Sequence, residues 1–532
     1  MEERYDYIIA GAGSAGCVLA NRLSEDRSVR VLILEAGGAA NSPLISTPGG
    51  SIALMQNPKY DWSYETEPDP SIAGRQLRWS GGKALGGSSS INGMVYIRGL
   101  RRDYDEWVQE FGCPGWGWND VLPYFVKSET FNGPPSQAHG YNGPLQVSPQ
   151  KSIHPLSAAF IEACTQQGLP RLDDYCDWNG DGAFMNYATQ RDGRRWSSAQ
   201  GSLGAAAGRP NLTVLTEALA DRVLFEGRRA SGLRVRHAGT TRDFHAAREV
   251  IVAAGALQSP GLLMRSGIGP GAQLSALGIA PVVDAPGVGR NLQDHCGVNI
   301  SKLTNVSTYN SEMTPLRGLR ALFAYLMFKD GPLSSAAVQG MAWLRSAPDL
   351  AEPDIHLNFL PYCIDFSITP PNFHKKPGVT LGTCVSRPHS RGEIRLRSAD
   401  PADKPIIDHR HVGDERDLQA LVRACHVMEA IYARPALAGA VVANNMPVRT
   451  PQDDREWEAY CRETAGMGFH PVGTCRMGSD AQSVVDPQLR VRGVEALRVV
   501  DASVMPRLVS ANTNACAIMI GEKAGDLVRG AA

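Results

Sequence analysis

The sequence of 532 residues is marked first by what it lacks. Neither charge is in surplus: 53 Lys and Arg stand against 54 Asp and Glu, a formal net charge of −1. No chain-wide electrostatic footprint for nucleic acid or an anionic surface is present. No apolar run approaches the ~18 residues that a spanning helix needs, so no transmembrane segment is expected. Internal repeats and linker-like tracts are absent, and 55 Gly with 35 Pro make the chain turn-rich but not low in complexity. There is no C-x-x-C pair. The 11 cysteines are scattered and odd in number, which argues against a disulfide framework and against a zinc site. Buried structural thiols in a reduced, cytoplasmic setting are expected, with no metal and with peripheral membrane attachment left open. The polar start, Met1-Glu2-Glu3-Arg4, leads straight into a strand, so a secretory signal is not expected.

What is present begins at the N-terminus. Tyr7-Ile8-Ile9-Ala10 reads as a buried strand. Gly11-Ala12-Gly13-Ser14-Ala15-Gly16 follows, then Cys17 to Leu23 at helical spacing, then a second strand, Val29 to Leu34, ending at Glu35 and Ala36. This is a β-α-β unit carrying the dinucleotide fingerprint in its proper context. Its glycines let the backbone turn tightly and approach a pyrophosphate. The free N–H groups of the helix N-terminus stabilise the phosphate charge, and Glu35 is placed to accept ribose hydroxyls.

Further along, 211–236 reads as strands, 249–254 as a buried strand, 415–433 as a helix, and 514–529 as a helix stopped by Gly530. Strands alternating with helices indicate a doubly wound α/β sheet with inserted segments forming a second lobe. A run of small residues, Gly81 to Val95, includes Gly86, Gly87, Asn92, Gly93 and Met94. Such a loop lets backbone N–H groups come close to a flat ring, and Asn92 can hydrogen-bond its edge. Near the C-terminus lie His470-Pro471, the strand end Val500-Asp501-Ala502, and Asn512-Thr513-Asn514 at the start of the last helix. Taken singly, His470 reads as a satisfied loop histidine and the asparagines as caps.

Together these motifs resemble the glucose–methanol–choline (GMC) flavin oxidoreductases, in the branch of choline-dehydrogenase-like and alcohol-dehydrogenase-like bacterial members. The resemblance spans nearly the whole chain. It rests on Gly11 to Gly16 with Glu35, Gly82 to Gly99, Asp103 to Trp107, Gly255 to Pro270, Gly287 to His295, His470 to Thr474, and Asp501 to Asn514. It implies a Rossmann-type FAD domain built from discontinuous segments, 1–155, 200–305 and 470–532. It also implies an α+β substrate domain with an antiparallel sheet, 156–199 and 306–469. The implied catalytic pair is His470 as base with Asn514 as its partner. Asn92, Gly93, Met94 and Val95 match the loop against the flavin ring, Val223 a backbone contact to adenine, and Asp501, Ala502, Asn512 and Thr513 the ribityl and pyrimidine contacts.

The implied chemistry is oxidation of an alcohol to an aldehyde, with electrons passed to a quinone, a dye-like acceptor or O2. An oxidase, a choline dehydrogenase and a hydroxynitrile lyase are the alternatives. Chemistry also supports a histidine base: a neutral imidazole that removes the hydroxyl proton makes hydride loss feasible, typically contributing ~10²–10⁴-fold. Two departures from the family pattern stand out. Ile91 occupies the place where some relatives link FAD covalently through histidine, so FAD is expected to be non-covalent. Gly81 stands where many relatives have arginine. Gln339 matches a position facing the substrate that is usually glutamate, and its neutrality favours an uncharged primary alcohol over choline.

Overall fold

The computed structural model describes residues 4–365 and 372–530. The expected β-α-β unit is the centre of its first lobe. Strand Arg4–Ala10 lies parallel to Val31–Leu34, with Ile9 beside Ile33. On its other side is the long strand Thr240–Val252, with Ile8 beside Val250. Leu212–Leu215 and Leu497–Val499 extend the parallel part. Ala218–Glu226, Arg229–His237 and Thr240–Val252 form an antiparallel meander on the same sheet. The central strands are apolar on both faces, as a sheet covered on both sides requires.

A second seven-stranded sheet is antiparallel throughout. Its order is 441–446, 296–304, 378–385, 355–360, 340–344 and 182–185, and 466–467 also pairs with 296–304. The segment boundaries drawn from sequence assigned 296–304 to the first lobe. It belongs to the second sheet, because its backbone pairs with 378–385 on one side and 441–446 on the other. Helix Glu415–Tyr432 covers this sheet with Leu418, Leu421, Cys425 and Met428.

The C-terminal helix, Asn514–Arg529, packs along the first helix, Ser14–Leu23. Two glycines one turn apart permit the close approach. A Cβ at Gly521 would meet Ala15 O at 2.9 Å, and one at Gly525 would meet Arg22 Cβ at 3.0 Å. The contacts run in register from Ser14–Asn514 to Arg22–Asp526, so the helices are parallel and both N-termini lie at one end. At the other end, buried Arg22 donates to Glu522 at 2.7 Å and to Asp526 at 2.5 Å. All 11 cysteines are unpaired and 10 are buried.

One cluster has ligand-type groups close together. His139, Asp174 and Cys176 bring their atoms within 4.8 Å of one another. Burial works against charge on His139. Hydrogen bonds to Asp174, Cys176 and Glu129 outweigh it and push the imidazole up to about 11. The ring therefore acts as a cation between Glu129, 2.8 Å away, and Asp174.

Arg22→Met leaves Glu522 buried without its partner. It is expected to destabilise the fold by about 3–5 kcal/mol, whereas the double variant Arg22→Met/Glu522→Leu recovers much of that loss. Denaturant unfolding of the three proteins checks this. Equal stability of Arg22→Met and the parent would remove the ion pair from the account.

Candidate active site

A cavity of about 470 Å³ lies between the two lobes. Its floor is the Gly11–Ala15 turn. Gly11 has φ +110°, and a side chain there would strike Ala253 O at 2.4 Å. Gly16 faces the turn instead of the cavity: a Cβ would meet Gly11 O at 2.0 Å. Gly86 is similarly structural, with φ +87° and its N–H bonded to Ala12 O at 2.8 Å. Glu35 ends its strand inside the cavity, accepting from Ala12 N–H at 3.1 Å and Gly37 N–H at 2.8 Å. Burial pushes its carboxyl up to about 7, and those two N–H groups oppose the rise.

The cavity brings together most of the residues expected from sequence. Gly11, Gly13, Ser14, Ala15, Glu35, Ala36, Gly87, Asn92, Gly93, Met94, Val95, His470, Asp501, Ala502, Asn512, Thr513 and Asn514 all line it. Asn92 is pinned by its Oδ1, which accepts from Met94 N–H and from the Arg195 guanidinium. Arg195 is fully buried. Its other acceptors are Ile45 O, Ser89 O and Ser51 Oγ, all neutral, and burial lowers it to about 9. Asp501 accepts from Gly255 N–H, Ser259 Oγ–H and Ser503 N–H, tying the 255 turn to the last strand.

The expected pairing of His470 with Asn514 is not what the structure holds. Asn514 Oδ1 accepts from Ser14 Oγ at 2.8 Å, at the phosphate-type turn. Asn512 is the residue at His470, with its Nδ2 2.9 Å from Nε2 of the imidazole. The reason is local. Asn514 is the first residue of the helix, whereas Asn512 lies before it, outside the helix. Val223 and Gln339 also lie outside the cavity lining. The Val223 N–H is taken by Ser266 Oγ at 2.8 Å, and Ala218, Leu219 and Ala220 reach the cavity instead. Gln339 is fully buried and anchors the fold. It accepts from His154 N–H and Ser157 Oγ–H, and donates to Ser152 O and Tyr309 Oη. Gly81 has no room for a side chain, since a Cβ would touch the Tyr64 ring at 2.9 Å.

Sequence reasoning missed the support beneath His470. His295 Nε2 lies 3.0 Å from Ser386 O and 3.1 Å from Val509 O, so it carries hydrogen. Burial lowers His295 to about 4, which makes the ring neutral and leaves Nδ1 bare. That Nδ1 is 2.9 Å from His470 Nδ1, which must therefore be the donor. Burial also holds His470 well below its ordinary value, with His295 and His356 adding to the effect. The neutral His470 thus presents a bare Nε2 to the cavity. Asp294 fixes the preceding loop by accepting from His470 N–H at 2.5 Å and Phe469 N–H at 3.2 Å. It holds Phe469 at φ +62°, a strained conformation for a bulky residue. The signal for His295 was present in Gly287 to His295, but nothing in spacing alone ties it to a histidine 175 residues away.

An elongated anionic cofactor such as FAD fits these features. Two helix N-termini face the cavity, and neither has a side-chain cap. Buried Ser80 Oγ and Asn512 Oδ1 line it with no protein partner. Ile91 lines it too, and offers no nucleophile for a covalent link.

The N-terminal model described as GMC oxidoreductase matches residues 5–297, and the C-terminal model residues 388–521. The chain is 42% identical to an alcohol dehydrogenase [acceptor] of Pseudomonas putida, covering 98% of this chain and 95% of that one. It is 41% identical to an oxygen-dependent choline dehydrogenase of Ectopseudomonas mendocina, covering 99% and 94%. Among solved structures, pyridoxine 4-oxidase from Mesorbium loti superposes with a TM-score of 0.89 at 34% identity, covering 98% of each chain. Formate oxidase superposes with a TM-score of 0.93 at 29% identity, covering 99% and 98%. The cradle, the histidine pair and these full-length matches agree, and the chain belongs to the GMC oxidoreductases.

Proposed function

We propose that this protein is an FAD-dependent dehydrogenase of uncharged primary alcohols, in which His470 is the base and Asn512 the residue that holds the alcohol oxygen. The observation that carries the reading is the bare His470 Nε2, set 2.9 Å from the Asn512 amide and backed by His295. FAD held without a covalent link between the Gly11 turn, the Gly86–Val95 loop and the C-terminal helix supplies the hydride acceptor.

The chain's own groups do the rest. A substrate hydroxyl entering beside His470 replaces the Asn512 amide as the partner of Nε2. Asn512 Nδ2 then donates to the alcohol oxygen without competing for its proton. Nε2 takes that proton as the C–H bond breaks, which is general base catalysis by a group neutral at physiological pH. The new charge stays on His470, with Nδ1–H still donating to His295. Asn514 positions Ser14 at the phosphate end and has no part in proton transfer. The second lobe shapes the alcohol site. Among the described residues it gives the lining Ala337, Val338, Leu360 and Tyr362, with no carboxylate. A quaternary ammonium therefore lacks a counter-charge from that side. Electrons leave to a quinone or similar acceptor.

His470→Ala is expected to retain FAD and to slow alcohol-driven flavin bleaching under anaerobic conditions by ~10²–10⁴-fold. Asn512→Ala should slow it by about 10²–10³-fold, while Asn514→Ala leaves the bleaching rate nearly unchanged in the FAD-loaded fraction. Near-parental bleaching in His470→Ala, or a larger loss at 514 than at 512, would overturn the assignment. A panel containing aliphatic and aromatic alcohols and choline, scored by peroxide release and by dye reduction, tests substrate and acceptor. Preference for choline, or stoichiometric peroxide, defeats that part of the reading.

The pH dependence follows from the lowered His470 value. The base works only when neutral, so kcat/KM should be flat through neutral and alkaline pH. It should fall only as pH drops through a value well below 6.5. An acid limb at 6.5 or above contradicts a buried base.

Glu35→Ala removes the acceptor that orders Ala12 and Gly37. FAD affinity should drop about 10- to 100-fold, the effect of one or two charge-assisted hydrogen bonds. Flavin content after gel filtration reads this directly, and full retention would exclude Glu35 from the cofactor site.

A further inference from the structure

The helix Pro315–Phe328 is built inside out for a soluble surface. Its buried residues are Ala321 and Tyr325, on one side. On the opposite side Leu316, Leu319, Leu322, Phe323, Leu326 and Met327 face solvent, with Leu316 80%, Leu319 65% and Leu326 60% exposed. At 100° per residue these six form one continuous stripe, and its neighbours are exposed as well. Val306 and Ile153 are both exposed. Arg317 donates to Ser307 Oγ and His154 contacts Ser307 O, which brings both segments to the foot of the helix. Monomeric proteins do not leave an apolar face of this size to water without a use for it.

The charge around the stripe has one sign. Between 315 and 329 the sequence contains Arg317, Arg320 and Lys329 and no Asp or Glu. Lys151 joins them, its Nζ donating to Phe328 O at the helix C-terminus. None of these four cations has a carboxylate partner among the described residues. Acids occur only beyond the ends, at Glu312 and Asp330. An apolar stripe bordered by unpaired cations matches the interface of an anionic bilayer, with lipid tails against the leucines and phosphate headgroups against the arginines. It matches a second copy of this chain poorly, because neither helix would offer an acid to the other.

The helix is also tied to the lining of the cavity from both ends. After it, the turn Pro332–Ser334 places Leu333 against Gly49 and leads into Ala337 and Val338, which line the cavity. Before it, Tyr309 N–H donates to Pro361 O, between the lining residues Leu360 and Tyr362.

We infer that Pro315–Phe328 is an in-plane membrane anchor that seats the protein on an anionic lipid surface with the mouth of its active-site cavity beside the bilayer. An apolar alcohol or a lipid-soluble acceptor then reaches the cavity from the membrane. The anchoring does not depend on the identity of the substrate. The net charge of −1 hides this local patch, and the helix is too short and too amphipathic to span.

The test uses the FAD-loaded full chain and flotation with two kinds of vesicle, phosphatidylcholine alone and phosphatidylcholine with about one third phosphatidylglycerol. The parent should float with the anionic vesicles, less with the neutral ones, and less at high salt. The variant Leu319→Glu/Phe323→Glu/Leu326→Glu should lower the bound fraction about tenfold or more, and Arg317→Glu/Arg320→Glu should abolish the preference for anionic lipid. Both variants should keep parental dye-linked activity on a water-soluble alcohol, which shows that they fold. Equal flotation of the parent and the triple variant overturns the proposal, as does absence of binding by the parent. So does sedimentation showing a lipid-free dimer that the triple variant converts to monomer, since the stripe would then be a subunit interface.

Discussion

Two parallel helices with their N-termini side by side are the constraint from which the rest of this structure follows. Parallel packing adds like dipole ends instead of cancelling them, which is unfavourable unless something anionic sits between the ends. Several features of the chain maintain that arrangement. Gly521 and Gly525 let the helices approach, Arg22 bridges to Glu522 and Asp526, and Asn514 bonds Ser14 across the two ends. Neither terminus is closed by a side chain of its own. The sequence thus concentrates positive potential at one point of the cavity and leaves it for a ligand. A pyrophosphate with a ring that gains negative charge answers that potential, whereas a neutral cofactor would not.

The chemistry at the other end of the cavity depends on the opposite condition. Three histidines, 295, 356 and 470, sit close together, with the ring of His295 about 5 Å from each of the other two. Burial keeps each one neutral. The tautomers of His295 and His470 are then set by backbone carbonyls that no side-chain change can remove. Ser386 O and Val509 O fix the hydrogen on His295, which fixes it on His470 Nδ1. The base is oriented through one intermediate ring by the backbone of both lobes. Asp294 and the strained Phe469 complete the support by holding the loop that carries His470.

Much of this was legible in the sequence where function is read through the backbone. The Gly11–Gly16 turn, Glu35, the Gly86–Val95 loop and the last helix are local patterns. In each, a small set of neighbouring residues dictates one geometry, and the structure assembles them into one cavity. The residues whose placement departs from expectation share a cause. Asn512 against Asn514, Val223 against Ala218 to Ala220, and Gln339 against Val338 are choices between residues one to five positions apart. Motif position gives the segment, but the direction of a side chain depends on which neighbour claims it. Ser14 claims Asn514, Ser266 claims the Val223 amide, and four polar partners claim Gln339. The same applies to strand 296–304, whose sheet is decided by partners far away in sequence.

Arg195 shows how the charges of the two ends are kept compatible. It is a buried cation under the Asn92 loop, and its acceptors are two carbonyls, a serine hydroxyl and an asparagine amide oxygen. An uncompensated buried charge is costly, and here it serves to fix the Asn92 loop that lines the cavity. The only carboxylates in the lining, Glu35 and Asp501, have their oxygens engaged by backbone N–H groups and a hydroxyl. Uncapped helix N-termini stand at the end where a cofactor's phosphates would lie, and the neutral His470 stands where an alcohol would meet it. Such a division selects an anionic cofactor together with a neutral substrate, and it does so before any specific contact with either is made. An exposed apolar helix joined to the lining of the cavity suits that division, because an apolar surface favours uncharged molecules.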